Sequence, residues 1–449
     1  MPQVRPLRGI GYALDRYAAA GVPDRVRLRD EPPPNAGRRV VDVGDLVCPP
    51  YDVISPAQQA ALLARHDRNA IRLELPAERD PHAAAARTLA AWLADGTLEA
   101  RPEASVYYYA HATPARPDEP TVQGVLARVL LEPFGEEVRA HEHTLPGPRA
   151  ERLAHLRATK TQVSPILAVY FDRSERYRHV MSRAWSDEWR ARDGDGLLHT
   201  LAAVEPDERL TGFLSRQRIF IADGHHRYET ALAYQAEMRA DPRRANAPPG
   251  SLAADWIMMV LINAEVEELQ ILATHRLVLE ADADALRSLV AEPGPLWQAQ
   301  PADPAELAAR LAALGDADQP AFGLVLPGGA GWLVVGDADA VADRMRRERS
   351  SDAVRELDLA VLHAAILADR LGIDADGVAA GRRLAYTRSE AEARAAVDRG
   401  EAMAAILVRP TRLDQMADVA SAGDVMPQKS TYFYPKLLTG LVLNPLEDE

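Results

Sequence analysis

Short apolar runs bounded by Gly, Pro and Asp alternate along the chain with longer Ala-rich stretches of helical spacing. Val40 to Val47 leads into the proline-broken loop Cys48 to Ser55, and Ser55-Pro56 supplies a capping hydroxyl and a first-turn proline, which predicts a helix over 56–66. Ile71 to Leu75 reads as a strand, and His82 to Ala94 as a helix stopped by Asp95-Gly96. Val106 to Ala110 and Thr121 to Leu131 read as strands joined by the polar turn 113–120. Beyond Phe134 the pattern predicts helices over 149–158 and 175–192 with a strand over 165–172 between them. A strand over 218–222 then runs into an Asp223-Gly224 turn and a helix from His225 to about Arg239. Strand-like segments follow at 256–262 and 274–279, the Ala/Asp/Pro-rich stretch 281–320 looks like surface helices, and the last third offers strands at 322–326, 332–335 and 404–408 with a long helix over 352–371. The expected class is α/β, of the mixed α+β kind, in three regions: 1–133, 134–280 and 281–449.

Composition narrows the functional classes. With 449 residues and 47% hydrophobic positions the chain has ample material for more than one core. A formal charge of -14 repels polyanions over most of the surface, so nucleic acid is not the expected partner. No stretch approaches the roughly 20 apolar residues of a membrane span, and the opening MPQVRPLRG lacks the apolar core of a signal peptide, so a cytoplasmic location is expected. The single cysteine, Cys48, excludes an internal disulfide and thiolate-caged metals. Among 52 basic residues only Lys160, Lys429 and Lys436 are lysines, and two of them share the segment Met426 to Lys436. A compact ammonium kept where guanidinium is the norm hints at a position that needs a point charge.

Two constellations carry chemistry. In Ile221 to Leu232, IADGHHRYETAL, a glycine after a buried strand lets the backbone turn sharply, and the helix it opens aims its positive end at the turn. Asp223 could orient magnesium or a substrate hydroxyl, Gly224, His225 and His226 could meet phosphate oxygens, and Arg227 could neutralise a transferring phosphoryl group. A helix cap with solvated first-turn residues would use the same sequence, but three donor or cationic groups beside a positive helix terminus favour a bound anion. In the second constellation, His141 to Thr144, Glu142 between two imidazoles is a candidate general base, with His141 and Thr144 beside it in a substrate pocket. Zinc held by His141, His143, His225 and His226 is the rival reading and the least favoured, because the spacing is not HExxH. Weaker signals are Tyr51 and Asp52 as a rigid pocket wall, Arg276 as a bidentate partner for a carboxylate or phosphate with His275 beside it in the substrate pocket, and Lys429 and Lys436 closing over phosphate. No Walker loop, GxGxxG or GxSxG occurs.

CPPYDVIS, NAIRLELP, HEHTLPGPRAERL, SPILAVYFD, IADGHHRYETAL, THRL and MPQKSTYFYPKLLTGLV together resemble the bacterial and archaeal "domain of unknown function 1015" family. More remotely, an early His-Glu followed by Asp-Gly-His-His-Arg resembles the free-serine kinases of the ParB/sulfiredoxin-like superfamily. That resemblance implies a central ParB/sulfiredoxin-like α/β unit flanked by N- and C-terminal α/β regions, and phosphorylation of a hydroxyl such as that of L-serine from ADP or ATP. It implies Glu142 as the base and Asp223, His225, His226 and Arg227 as the segment holding nucleotide phosphates and magnesium. The same superfamily also allows a nucleotide-binding switch, CTP included, without small-molecule turnover.

Overall fold

A computed structural model describes residues 2–13, 16, 39–116, 119–142, 144, 146–174, 185–315, 319–374, 377–378 and 381–447. Contacts divide it into two units: unit 1 holds 1–140, 144–269 and 435–449, and unit 2 holds 141–143 and 270–434.

Unit 1 is built on one ten-stranded sheet of β1 (Val4–Arg5), β2 (Arg39–Asp42), β3 (Val106–Ala112), β4 (Pro120–Leu130), β5 (Val138–Arg139), β6 (Ile166–Tyr170), β7 (Trp185–Arg192), β8 (Leu198–Val204), β9 (Ile219–Asp223) and β10 (Trp256–Asn263). The spatial order is β2-β7-β8-β3-β4-β10-β6-β9-β5, with β1 on β4. The sheet is mixed, because β2 and β7, β6 and β10, and β5 and β9 pair in parallel. Alternate residues of the central strands enter one core: Tyr108 and Ala110, Val125 and Ala127, Ile257 and Met259, Ile166 and Ala168, Ile219 and Ile221. The sequence boundary expected at residue 134 falls inside this sheet, since strands from both sides of it pair with one another.

Helices α1 (Pro56–Arg65), α2 (Ile71–Glu74), α3 (Pro81–Ala94), α4 (Pro146–Thr159) and α5 (His225–Ala240) accompany the sheet. The cap expected at Ser55 is present as a reciprocal box: Gln58 N–H donates to Ser55 Oγ at 3.3 Å, and Ser55 N–H donates to Gln58 Oε1 at 2.9 Å. The strand expected over 71–75 is instead α2. Buried Asn69 explains the difference: its Oδ1 accepts Ile71 N–H at 2.9 Å while its Nδ2 donates to the carbonyls of Asp45 and Val47, which folds the chain into a turn. The helix expected over 175–192 is a strand where it is described, β7, and its first part, 175–184, lies outside the described residues. The charges of this segment are paired inside unit 1: Arg101 donates to Asp187 at 2.7 Å, and Arg190 donates to Glu188.

The chain returns to unit 1 at its end. Cys48 and Thr439 exchange backbone hydrogen bonds at 3.3 and 2.8 Å, and Asn444–Pro445 pairs with Thr161–Gln162. Buried Gln162 stitches this pairing to β10, accepting from Met258 N–H and Asn444 Nδ2 and donating to the Trp256 carbonyl. Gly440 sits at φ +93°, and a Cβ there would stand 2.5 Å from Ala70 Cβ. Gly440→Ala is therefore expected to cost about 2–4 kcal/mol through left-handed backbone strain and overpacking, read from the urea midpoint. A loss below about 0.5 kcal/mol, the level of an ordinary surface change, would contradict that docking.

Unit 2 carries a six-stranded antiparallel sheet of β11 (His275–Val278), β12 (Trp297–Ala302), β13 (Ala321–Leu326), β14 (Ala330–Gly336), β15 (Leu384–Thr387) and β16 (Ala404–Leu407), in the order β12-β14-β13-β16-β11-β15. Its core packs Leu307 and Leu311 of α6 (Leu307–Ala313) and Ala393, Ala396 and Val397 of α7 (Glu390–Asp398) with Leu277, Val325 and Leu407. The stretch 281–320 contributes strand β12 as well as helices. The long helix expected over 352–371 is broken into Asp352–Arg355, Asp358–Val361 and a wide π-type turn at Leu362–Ala368. The first break falls at Glu356 and Leu357, just before Asp358, which Arg409 grips with two hydrogen bonds of 2.7 and 3.0 Å.

Candidate functional site

In unit 1, β9 ends on Asp223 and α5 begins two residues later. Gly224 between them adopts φ +98°, and a Cβ there would meet the Arg227 guanidinium at 3.0 Å. No side chain caps the helix, so its first turn presents the positive end of a 16-residue dipole to the turn. Arg227, one turn along, reaches back to Asp223 Oδ2 at 2.7 Å, and Lys436 donates to Asp223 Oδ1. Burial pushes the Asp223 carboxyl up, but the Lys436 ammonium and then the Arg227 guanidinium outweigh it and hold the group well below the usual carboxylate range. His225 is buried and His226 half-buried in that first turn.

This geometry bears on the expected magnesium ligand. Both Asp223 oxygens face cationic partners, so the carboxylate does not fit a resident divalent ion. Two cations and a helix N-terminus do fit an anion such as phosphate. Thr144, expected in a substrate pocket, donates to Glu229, which also accepts from Arg149 at 3.1 Å. Tyr51 lies under the Arg152 guanidinium, 4.3 Å from its ring centre, and Asp52 beside it is exposed.

In unit 2, Glu142 bridges to Met426, and its Oε1 accepts the Lys429 N–H at 3.3 Å. Lys429 holds φ +57°, a left-handed conformation uncommon for a side-chain-bearing residue, and its own side chain is exposed. His141 is buried, with Nε2 2.9 Å from Thr431 Oγ1 and its ring against Phe433. Arg276, expected as a phosphate clamp, is fully buried: its terminal nitrogens donate to the carbonyls of Thr274, Gln428 and Lys429. Its observed contacts hold the loop that donates to Glu142. Burial lowers the Arg276 guanidinium to about 10. His275 is buried too, its Nδ1 accepting Val408 N–H at 3.3 Å, and burial followed by Arg276 lowers its pKa to about 4, so it is a neutral imidazole. His143, invoked for zinc, lies outside the described residues.

Glu74, Arg152 and Thr230, which line a pocket in unit 1, escaped sequence reasoning. A signal for Glu74 existed: one carboxylate inside the apolar run Ile71 to Leu75.

An α/β chain with a cation-flanked strand-turn-helix in one unit and a loop-bound carboxylate in the other is thus defined. The chain belongs to the DUF1015 family, "Protein of unknown function", whose sequence profile matches residues 33–360. No curated protein matches it by sequence. Among solved structures it is similar to a conserved hypothetical protein from Pyrococcus furiosus, at 12% identity over 67% of this chain and 89% of that one, with a TM-score of 0.34. A free serine kinase in complex with AMP is similar at 11% identity over 68% and 89%, with a TM-score of 0.34. SbnI with a C-terminal truncation, from Staphylococcus aureus, is similar at 11% over 72% and 87%, again with a TM-score of 0.34. No described helix is long and apolar enough to cross a membrane.

Proposed function

We propose that the protein is a nucleotide-dependent phosphotransferase that phosphorylates the hydroxyl of a small molecule such as free L-serine, with ADP or ATP as donor. The observation that carries this reading is the Asp223 turn of unit 1, where Lys436, Arg227 and an uncapped helix terminus converge. Such a terminus receives a phosphate, and the two cations offset charge on a transferring phosphoryl group. Asp223 keeps both cations charged and in place while the site waits for nucleotide.

Glu142 takes the base role that its motif implies. It accepts the hydroxyl proton as the hydroxyl oxygen bonds to the terminal phosphorus, and the bond from that phosphorus to the nucleotide's bridging oxygen breaks, leaving the shortened nucleotide as product. The Lys429 N–H on Glu142 Oε1 orients the carboxylate. His226 is assigned a phosphate contact from the first turn.

The test is transfer of label from ATP or ADP to L-serine and other hydroxy amino acids in buffer containing magnesium. Glu142→Gln is expected to lower kcat by about 10²–10⁴ while leaving nucleotide affinity within about twofold. Tight ATP, ADP or CTP binding with no acceptor-dependent turnover would instead identify a nucleotide switch. Absence of transfer to every acceptor, with Glu142→Gln indistinguishable from wild type, would remove the reading.

A further inference from the structure

Beside the Asp223 turn, unit 1 contains a recess that shares Arg227 with the phosphotransfer reading and is otherwise unused by it. Tyr51, Glu74, Arg152, Gln162, Arg227 and Thr230 are among its walls, and the space unfilled by atoms is about 450 Å³ counted to its open mouth. Glu74 is 1% exposed. Its Oε1 accepts Tyr51 N–H at 3.1 Å, whereas its buried Oε2 has no hydrogen-bond partner among the described residues. Thr230, 3% exposed on α5, lines the same recess with its hydroxyl likewise unpartnered among the described residues.

The neighbouring arginines do not answer Glu74 Oε2. Arg152 spends two nitrogens on the Glu151 carboxylate and a third on the Glu74 backbone carbonyl, while Arg227 donates to the Pro165 carbonyl and Asp223. A buried carboxylate oxygen without a donor is costly to maintain, and burial accordingly pushes the Glu74 carboxyl upward against the pull of Arg152 and Arg227. An anionic ligand would meet this carboxylate head-on. A compact cation rich in N–H donors would satisfy it, and the Thr230 hydroxyl offers a further acceptor.

We propose that this recess is a binding subsite for a primary ammonium group, as carried by a small amine. The Arg152 guanidinium stacked on Tyr51 forms one wall. The inference stands independently of phosphotransfer, because it requires neither nucleotide nor Glu142.

The experiment titrates the full chain with ethylamine hydrochloride, ethanol and sodium propionate at constant ionic strength, by saturation-transfer NMR without nucleotide. Ethylamine is expected to bind about tenfold more tightly than ethanol, and propionate more weakly than either. Glu74→Gln should weaken ethylamine about tenfold and Thr230→Val about threefold. Should Glu74→Gln fail to fold, the wild-type ranking and Thr230→Val decide alone. Equal affinity for ethanol and ethylamine, or no saturable ethylamine binding up to about 100 mM, far weaker than three well-placed heavy atoms allow, would overturn the proposal.

Discussion

Asp223→Ala is expected to destabilise unit 1 by about 3–5 kcal/mol, the usual result of removing one partner from a buried ion pair. The side chains of Asp223, Arg227 and Lys436 are 16%, 13% and 11% exposed, so deletion of the carboxylate strands two cations away from water. Lys436→Met alone should cost less, since Arg227 still balances Asp223, and the double variant should recover part of the loss because only one stranded cation remains. Urea unfolding followed by tryptophan fluorescence reads all three. A loss under about 1 kcal/mol for Asp223→Ala would show that the triad behaves like an exposed pair. The triad should also resist acid. A carboxyl whose folded pKa is depressed stabilises above its unfolded value near 3.9 and loses that contribution only as pH falls through the folded value, here far below the ordinary range.

Acid should instead act through histidines. Lowering the pH from 7 to 5 is expected to weaken each unit by up to about 4 kcal/mol. Burial holds His111 at about 3 and His155 at about 4 in unit 1, and His275 at about 4 and His363 at about 3 in unit 2. The hydrogen bonds agree with neutral rings: His155 Nε2–H donates to the Leu73 carbonyl at 2.7 Å, and His275 Nδ1 accepts an N–H. With folded values below the unfolded 6.5, all four are neutral in both states above that pH. As pH falls below about 6.5 the unfolded chain takes up protons that the folded chain refuses, so stability drops with pH until the folded values are reached. By pH 5 each ring contributes a loss of up to about 2 kcal/mol. Urea midpoints at pH 7, 6 and 5 measure this directly, and midpoints that stay level across that range would contradict it.

The strand-turn-helix around Asp223 was legible because its local signals agree: an apolar run, a glycine able to take a positive φ, and a helix-forming run after it. The observed β9 and α5, Ile219–Asp223 and His225–Ala240, lie within a residue of the reading. Lys436 drew notice through the rarity of lysine, yet its partner lies 213 residues away and no spacing rule links the two. α2 was misread because its apolar run fits a strand, and only the buried amide of Asn69 turns it. β7 was misread because its charges are paired within the fold, which no local pattern can reveal. Arg276 was expected at a ligand, whereas its burial among carbonyls depends on the distant loop at Gln428 and Lys429.

Lys436 belongs to a stretch that rejoins unit 1 only after the whole of 270–434 has been traversed. On the ribosome, therefore, the large sheet emerges long before the ammonium that completes it, and Asp223 spends that interval with Arg227 alone. The nascent first unit can bury its core early, but its charge balance at the turn closes only when the second unit has already been made.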